Sequence, residues 1–226
     1  TTVTGTDAGP LPAATRFDGS SYILTPTVAA NLVSNTDLSI AFWVQKTETD
    51  ASDAIFGIGR PSAGATYANG INLFLDYGGT NSNVIAIQHL DDGAFNTYTL
   101  DTTNYELTGN WHHICLVLVD EADTIPLYVD GNLVTSFTKE VETDQFDDAT
   151  HMVIGAEFDS GASVGDIFTG RIAEFRVYGG VGHGGLTANE VQALYQINVS
   201  GPGNTTHISG DQISTGKLKS NNWNNN

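Results

Sequence analysis

Apolar residues in this chain recur at every second position in short runs, and polar turns separate the runs. In "LSIAFWVQKT", Ile40, Phe42 and Val44 alternate with Ala41 and Trp43. That is the period of a strand whose successive side chains point to opposite faces. "TRFDGSSYILTP" offers Phe17, Tyr22 and Leu24 as inward residues. "DAIFGIGR", "GINLFLDYG", "NVIAIQHLDD", "FNTYTLDT", "WHHICLVLVDE", "IPLYVDGNLVTSFT", "HMVIGAEF" and "GRIAEFRVYGG" follow. The turn pairs between runs are Asp18-Gly19, Gly78-Gly79, Asp92-Gly93 and Asp130-Gly131. Asp130-Gly131, set between "LYV" and "NLV", is a strong hairpin signal, because a type I′ turn needs positive φ at both central positions. About ten short strands joined by such turns predict an all-β fold: a jelly-roll sandwich of two antiparallel sheets.

One segment has a helical period instead. "LTANEVQALYQ" opens with Thr187 and carries Glu190 three residues later, the capping-box spacing. Leu186 before the cap and Val191 beyond it can close a hydrophobic staple. Val191, Leu194 and Tyr195 fall on one apolar face. The pattern predicts a single short helix over 187–196, laid against the sandwich.

The two ends differ in character. Residues 1–12 (TTVTGTDAGPLP) are small and polar and read as an arm, and 13–198 hold the domain. The segment 199–226 is an extended linker or fibre segment, dominated by Gly, Ser, Thr and Asn. Its composition cannot offset its own ordering entropy. Ile208, Ile213 and Leu218 recur there every five residues, which suits neither a lone strand nor a lone helix. A threefold bundle could bury such sparse apolar residues, with Trp223 as a further contact. The expected assembly is therefore a homotrimer held through its tail. The chain begins at Thr1 rather than Met, as expected of a processed or excised piece.

Charge narrows the partners. There are 26 Asp and Glu against 8 Lys and Arg, a formal net charge of −18. Such a surface repels phosphate backbones and anionic lipid, so neither nucleic acid nor membrane is an expected partner. It favours divalent cations and neutral partners such as glycans. It equally suits salty water, where screening weakens self-repulsion. The single cysteine, Cys115, lies in an apolar run and is expected to be buried and inert.

Four stretches carry a resemblance: "RFDGSSYI", "LSIAFWV", "NWHHICLVLVDEADTIPLYVDGNLV" and "FTGRIAEFRVYGGVGHGGLTANEVQALYQ". Together they resemble the laminin-G-like, concanavalin-A-like jelly-roll superfamily over roughly residues 13–197. Trp111 and His113 match that family's tryptophan–histidine strand start, and Tyr128, Asp130 and Gly131 its hairpin. Gly170, Ile172, Glu174 and Val177 match its closing strand. Leu186, Thr187, Glu190 and Leu194 match its closing helix. The family often has Asp where this chain has Ala173, which puts in doubt a structural calcium near that strand. A second resemblance lies in "ISGDQISTGKLKSNNW". It is similar to linker segments of tailed-phage fibre and minor structural proteins, especially those of marine phages.

The resemblances imply a virion protein whose lectin-like domain attaches to a host surface polysaccharide or to another virion protein, without catalysis. A glycan-binding adhesion module of a secreted bacterial protein and a polysaccharide-degrading enzyme are the alternative readings. For the enzyme, the run nearest to a glycosidase triplet is Glu142-Thr143-Asp144-Gln145-Phe146-Asp147, whose last residue is Asp rather than Glu. It falls in an expected loop, where the strand geometry that sets two carboxylates on one face is missing. The sequence has neither a Gly-x-Ser-x-Gly elbow nor a His-Glu-x-x-His motif.

Glycan recognition needs aromatic platforms and planar polar groups. Tyr67, Asn69, Tyr77, Asn81, Phe95 and Phe158 are the loop residues of that kind. Calcium needs several oxygens held by loops; Asp159 with Asp166, and Asp91 with Asp92, are the candidate ligands. His112 and His113 should face opposite ways, with His112 in solvent and His113 in the core or an interface.

Overall fold

The computed structural model describes residues 2–4, 13–26, 37–47, 53–59, 70–78, 84–91, 94–101, 108–119, 124–138, 151–158, 163–179 and 185–199. Its strands in chain order are β1 (Thr2–Thr4), β2 (Ala13–Asp18), β3 (Ile23–Pro26), β4 (Asp37–Lys46), β5 (Asp53–Gly59), β6 (Gly70–Leu75), β7 (Val84–Asp91) and β8 (Ala94–Asp101). Then come β9 (His112–Val119), β10 (Thr124–Val129), β11 (Asn132–Thr138), β12 (His151–Ile154), β13 (Glu157–Phe158), β14 (Val164–Gly165) and β15 (Thr169–Gly179). One helix, α1 (Ala188–Val199), follows.

The strands form a seven-stranded sheet in the order β1-β2-β15-β4-β9-β10-β11, and a six-stranded sheet in the order β3-β12-β5-β6-β7-β8. β13 and β14 make a separate small ribbon. The last strand, β15, runs antiparallel between β2 and β4, so the end of the domain is locked between two of its early strands. This is the expected jelly-roll sandwich.

The alternation in β4 sorts as its period requires. Ile40, Phe42 and Val44 enter the main core between the sheets. Ala41 and Trp43 face the other way, into clusters that include Val191 and Tyr195 of α1. Facing them across the core are Phe56, Ile58, Ile71, Leu73, Ile85 and Ile87 of the six-stranded sheet. The ring of Phe42 meets Phe56 edge-on with centroids 6.1 Å apart and stacks on Phe175 at 5.6 Å. Removing a buried ring of this kind costs about 3–5 kcal/mol.

α1 begins as its capping box predicts. The Thr187 N–H and hydroxyl both donate to the Glu190 carboxylate, at 2.8 and 2.7 Å. The Glu190 N–H donates back to the Thr187 hydroxyl at 3.4 Å. These bonds hold the exposed Glu190 carboxyl below its usual range. Val191 is buried, with Leu186 and Leu194 packed on the same cluster, as a hydrophobic staple requires. The helix runs three residues further than the sequence pattern suggests. It covers the outer face of the seven-stranded sheet: Trp43 stacks on Tyr195 with centroids 5.6 Å apart. Cys115 lies in this layer, fully buried, and burial pushes its thiol up to about 12.

The Asp130-Gly131 hairpin forms as expected. Asp130 and Gly131 have φ of 51° and 77°, and Val129 pairs with Asn132 across them. Asp130 also folds back onto β9. Its N–H donates to the His113 carbonyl at 2.8 Å, and its carboxylate accepts the His113 N–H at 2.9 Å. The other carboxylate oxygen lies 2.9 Å from His112 Nδ1. His112 is therefore half-buried and paired, not the solvated residue the sequence suggested, because the turn returns a carboxylate to the start of its neighbour strand.

One further expectation is corrected. Tyr22 and Leu24 are 44% exposed rather than inward. β3 is an edge strand that pairs only with β12, so its side chains lack cover on one side. Within the expected N-terminal arm, Thr2–Thr4 run as β1 along β2, with Thr2 opposite Thr15.

Candidate functional site

In β5, β6 and β7 the inward residues Phe56, Ile71, Leu73, Ile85 and Ile87 fill the core. Their alternates therefore lie on the outer face of the six-stranded sheet. Strand register aligns these alternates into rows. Leu24 pairs with Val153, Val153 with Gly57, Gly57 with Asn72, Asn72 with Gln88, and Gln88 with Thr97. One unbroken row thus crosses all six strands, and its second half, Asn72–Gln88–Thr97, is polar. The row beside it runs Ala54–Phe74–Ala86–Thr99 and is mostly apolar. Thr97 and Thr99 are exposed and Gln88 is half-buried.

The polar row is held in place. Gln88 Nε2 donates to the Tyr77 hydroxyl at 3.0 Å, and the Tyr77 ring rests on Phe74 with centroids 5.4 Å apart. Asn72 is fully buried, and its Nδ2 donates to the Glu157 carboxylate at 3.1 Å. Glu157 belongs to the small β13–β14 ribbon, which folds across this face. Phe158, its other residue, is 6% exposed and packs with Val153, Ala156, Val164 and Ile167. Gly57 makes that closeness possible. A Cβ there would lie 2.5 Å from Asn72 Oδ1 and 3.2 Å from the Phe158 nitrogen. A larger residue at 57 would displace both the amide and the ribbon.

The aromatic candidates thus fall in different settings. Tyr77 sits beside the polar row, half-buried, with its hydroxyl bonded to Gln88. Phe158 turns its ring into the domain, so it anchors the ribbon and is not available as a platform. Phe95 is paired with Leu90 in the β7–β8 ladder; its side chain lies outside the described residues, as do Tyr67, Asn69 and Asn81. Sequence reading missed Asn72, Gln88, Thr97 and Glu157. Nothing local marks them, because the row exists only once the register is fixed.

Of the acidic candidates, Asp166 is exposed with φ of 43°, and its carbonyl accepts the Ala54 N–H at 2.9 Å. Asp159 and Asp92 lie outside the described residues, and Asp91 is described only as the backbone partner of Ala94. Glu142, Asp144 and Asp147, and the tail residues Ile208, Ile213, Leu218 and Trp223, also lie outside them. Among the described residues no three His, Cys, Asp or Glu side chains converge as a metal site. Ala173, where the family often carries an acid, is buried among Ala14, Trp43, Trp111 and Tyr195, an apolar layer hostile to a charge.

Two antiparallel sheets packed face to face, closed by a last strand inserted between two early ones, define a lectin-type jelly roll. The chain belongs to the concanavalin A-like lectin/glucanases superfamily, through its Laminin_G_3 family, which matches residues 17–192. No curated protein sequence matches it. Among solved structures it is similar to the CBM40 domain of the Ruminococcus gnavus IT-sialidase bound to α2,3-sialyllactose. That match has a TM-score of 0.63 and 15% identity, covering 80% of this chain and 96% of that one. Domain 4 of AbnA, a GH43 extracellular arabinanase from Geobacillus stearothermophilus, in complex with arabinotriose, matches with a TM-score of 0.60 and 22% identity. It covers 87% of this chain and 82% of that one. The heptameric SAP-like pentraxin from Limulus polyphemus matches with a TM-score of 0.60 and 13% identity, covering 80% of each chain.

Proposed function

We propose that this domain is a non-catalytic carbohydrate-binding module that holds a neutral glycan on the outer face of its six-stranded sheet. The observation that carries the reading is the accessible end of the polar row, Gln88 and Thr97 beside Tyr77. Gln88 and Thr97 present an amide and a hydroxyl one strand apart beside the Tyr77 ring, which match the donor and acceptor needs of sugar hydroxyls, while the buried Asn72 anchors the inner end of the row. The row contains no cation and adjoins the Glu157 carboxylate, and the whole chain carries a formal net charge of −18. Both features favour a neutral sugar over an acidic one. The glycan complexes of the CBM40 and arabinanase domains support the class of ligand.

In the same proposal the chain is a component of a tailed-phage virion, part of a tail or head fibre, with the module serving attachment to a host surface polysaccharide or to a neighbouring virion protein. The tail "ISGDQISTGKLKSNNW" carries that part, and the segment from 199 onward joins three copies. Calcium bound by the acidic loops belongs to the proposal as a stabilising ion.

The test is binding of the purified chain to a panel of neutral and acidic bacterial polysaccharides, beside Thr97→Lys and Thr99→Lys variants. Both residues are exposed, so the variants keep the fold and block only the face. Expected is binding to a neutral polysaccharide, lost in both variants, with no release of reducing ends and a trimer mass by light scattering that falls on deletion of 200–226. Binding unchanged in both variants refutes the face, and reducing-end release refutes the non-catalytic role. A monomeric full chain removes the fibre and leaves an adhesion module. Unchanged melting in EDTA removes the calcium.

A further inference from the structure

At the end of β4 the side chain of Lys46 is entirely buried, one of only eight basic residues in the chain. Its Nζ lies 2.6 Å from Asp53 Oδ2 and 2.7 Å from Asp76 Oδ2. Asp53, at the start of β5, is 3% exposed, and Asp76, just past β6, is not exposed at all. The amine is on the seven-stranded sheet, Asp53 opens a strand of the six-stranded one, and Asp76 directly follows another of its strands. The backbone fixes the group from several sides. The Lys46 carbonyl accepts the Gly109 N–H at 2.8 Å. Asp76 is held at a φ of 54°, and the Asp53 Oδ1 accepts the Thr169 N–H at 3.3 Å.

We propose that this trio is a modification site, at which Lys46 Nζ and the Asp53 carboxyl condense spontaneously into an intramolecular amide that ties the two sheets together. The chemistry needs no group from outside. A proton moves from the Lys46 ammonium to Asp53 Oδ2, leaving a free amine and a carboxylic acid. The amine lone pair attacks Asp53 Cγ, and the C=O π pair moves onto Oδ1, where the Thr169 N–H receives the charge. Asp76, already accepting a hydrogen bond from Nζ, takes a proton from the tetrahedral nitrogen and passes it to the Oδ2 hydroxyl. Oδ2 then leaves as water and the Cγ–Oδ1 double bond reforms. One C–N bond forms, one C–O bond breaks, and Asp76 returns to a carboxylate that accepts the new amide N–H. Proximity does most of the work, since the reacting groups are held in contact before the reaction starts.

The assignment of roles follows from the contacts. Asp53 has a backbone N–H on one oxygen to stabilise the developing oxyanion and the amine against the other. Asp76 makes the hydrogen bond suited to a proton relay. The Lys46–Asp53 pair is therefore the bond formed, and Asp76 is the catalytic residue.

The experiment is the intact mass of the full chain, followed by denaturation, digestion and sequencing of the peptides that contain Lys46, beside Lys46→Arg and Asp76→Asn variants. Expected is a chain lighter than its sequence by one water, a branched peptide joining Lys46 to Asp53, and a Lys46→Arg chain at full mass. The Asp76→Asn chain should remain largely uncondensed, with its Lys46 peptide linear. A wild-type chain at full mass with linear Lys46 and Asp53 peptides overturns the proposal. So does a water lost without a branched peptide, since dehydration at an Asp-Gly pair gives the same mass. A branch from Lys46 to Asp76 overturns the roles. If either variant fails to fold, the wild-type peptides decide alone.

Discussion

His113 links this fold to pH. It is 2% exposed, with its ring 5.5 Å from Trp43 and 6.1 Å from Tyr195, centroid to centroid. Burial pushes it down from 6.5 to about 4. The nearby Asp130 carboxylate pulls the other way and Arg176 adds to the fall, but desolvation dominates. The folded state therefore prefers the neutral ring, while the unfolded chain accepts a proton near 6.5. Above that pH both states are neutral and the histidine has no effect on stability. As pH falls from 6.5 toward 4, only the unfolded state gains the proton, and stability is lost across that window. The size is the difference between the two values at about 1.4 kcal/mol per unit, about 3 kcal/mol in all.

The assay is urea unfolding of the wild type and of His113→Phe, at several pH values from about 7.5 to about 4. Phenylalanine fills the same space without titrating. The 26 acidic residues are common to both proteins, so their titration cancels in the difference. The hydrogen bonds between Asp130 and residue 113 use its backbone and survive the substitution. The stability difference should shift by about 3 kcal/mol in favour of the variant over this range. A difference that stays constant would refute the reasoning, since His113 would then accept its proton equally in the folded and unfolded states, with Asp130 offsetting burial.

Two other perturbations test the fold at single points. Thr187→Ala removes the hydroxyl side of the capping box and should lower stability by about 1 kcal/mol, read by thermal unfolding. Gly155→Ala places a Cβ 2.4 Å from the Phe17 ring at a φ of 81°; it should cost more than the roughly 1–3 kcal/mol of backbone strain alone, read by urea unfolding.

What the sequence revealed was local. Ile40, Phe42 and Val44 show their inward face by alternation, Asp130-Gly131 show a turn by their tolerance of positive φ, and Thr187 with Glu190 mark a helix start at a fixed spacing. Each of these is a relation within a few residues. What it concealed depends on partners far along the chain. Tyr22 and Leu24 have an inward pattern, yet β3 ends up at an edge. Phe158 looks like a loop platform until the β13–β14 ribbon turns it onto Val153. Lys46, Asp53 and Asp76 share no periodicity, and only the stacking of two sheets brings them within 2.7 Å.

The candidate glycan face follows from the same asymmetry between the two sheets. The seven-stranded sheet has its outer side covered by α1, where Val191 and Tyr195 sit over Ala41, Cys115 and Trp43. Its central strands β4 and β9 are buried on both faces, and a ligand there would have to displace the helix. The six-stranded sheet has no helix on its outer side among the described residues. It carries small residues at Ala54, Gly57 and Ala86 and polar ones at Asn72, Gln88, Thr97 and Thr99. Small residues lower the floor of the face, and polar ones at strand spacing give it a hydrogen-bonding pattern. Asn72 is the residue on which these features depend. It is buried, so its orientation is set by Glu157 and by the missing side chain at Gly57, and the row beside it inherits a fixed starting point. A recognition surface built this way is rigid before ligand arrives, which lowers the entropy cost of binding.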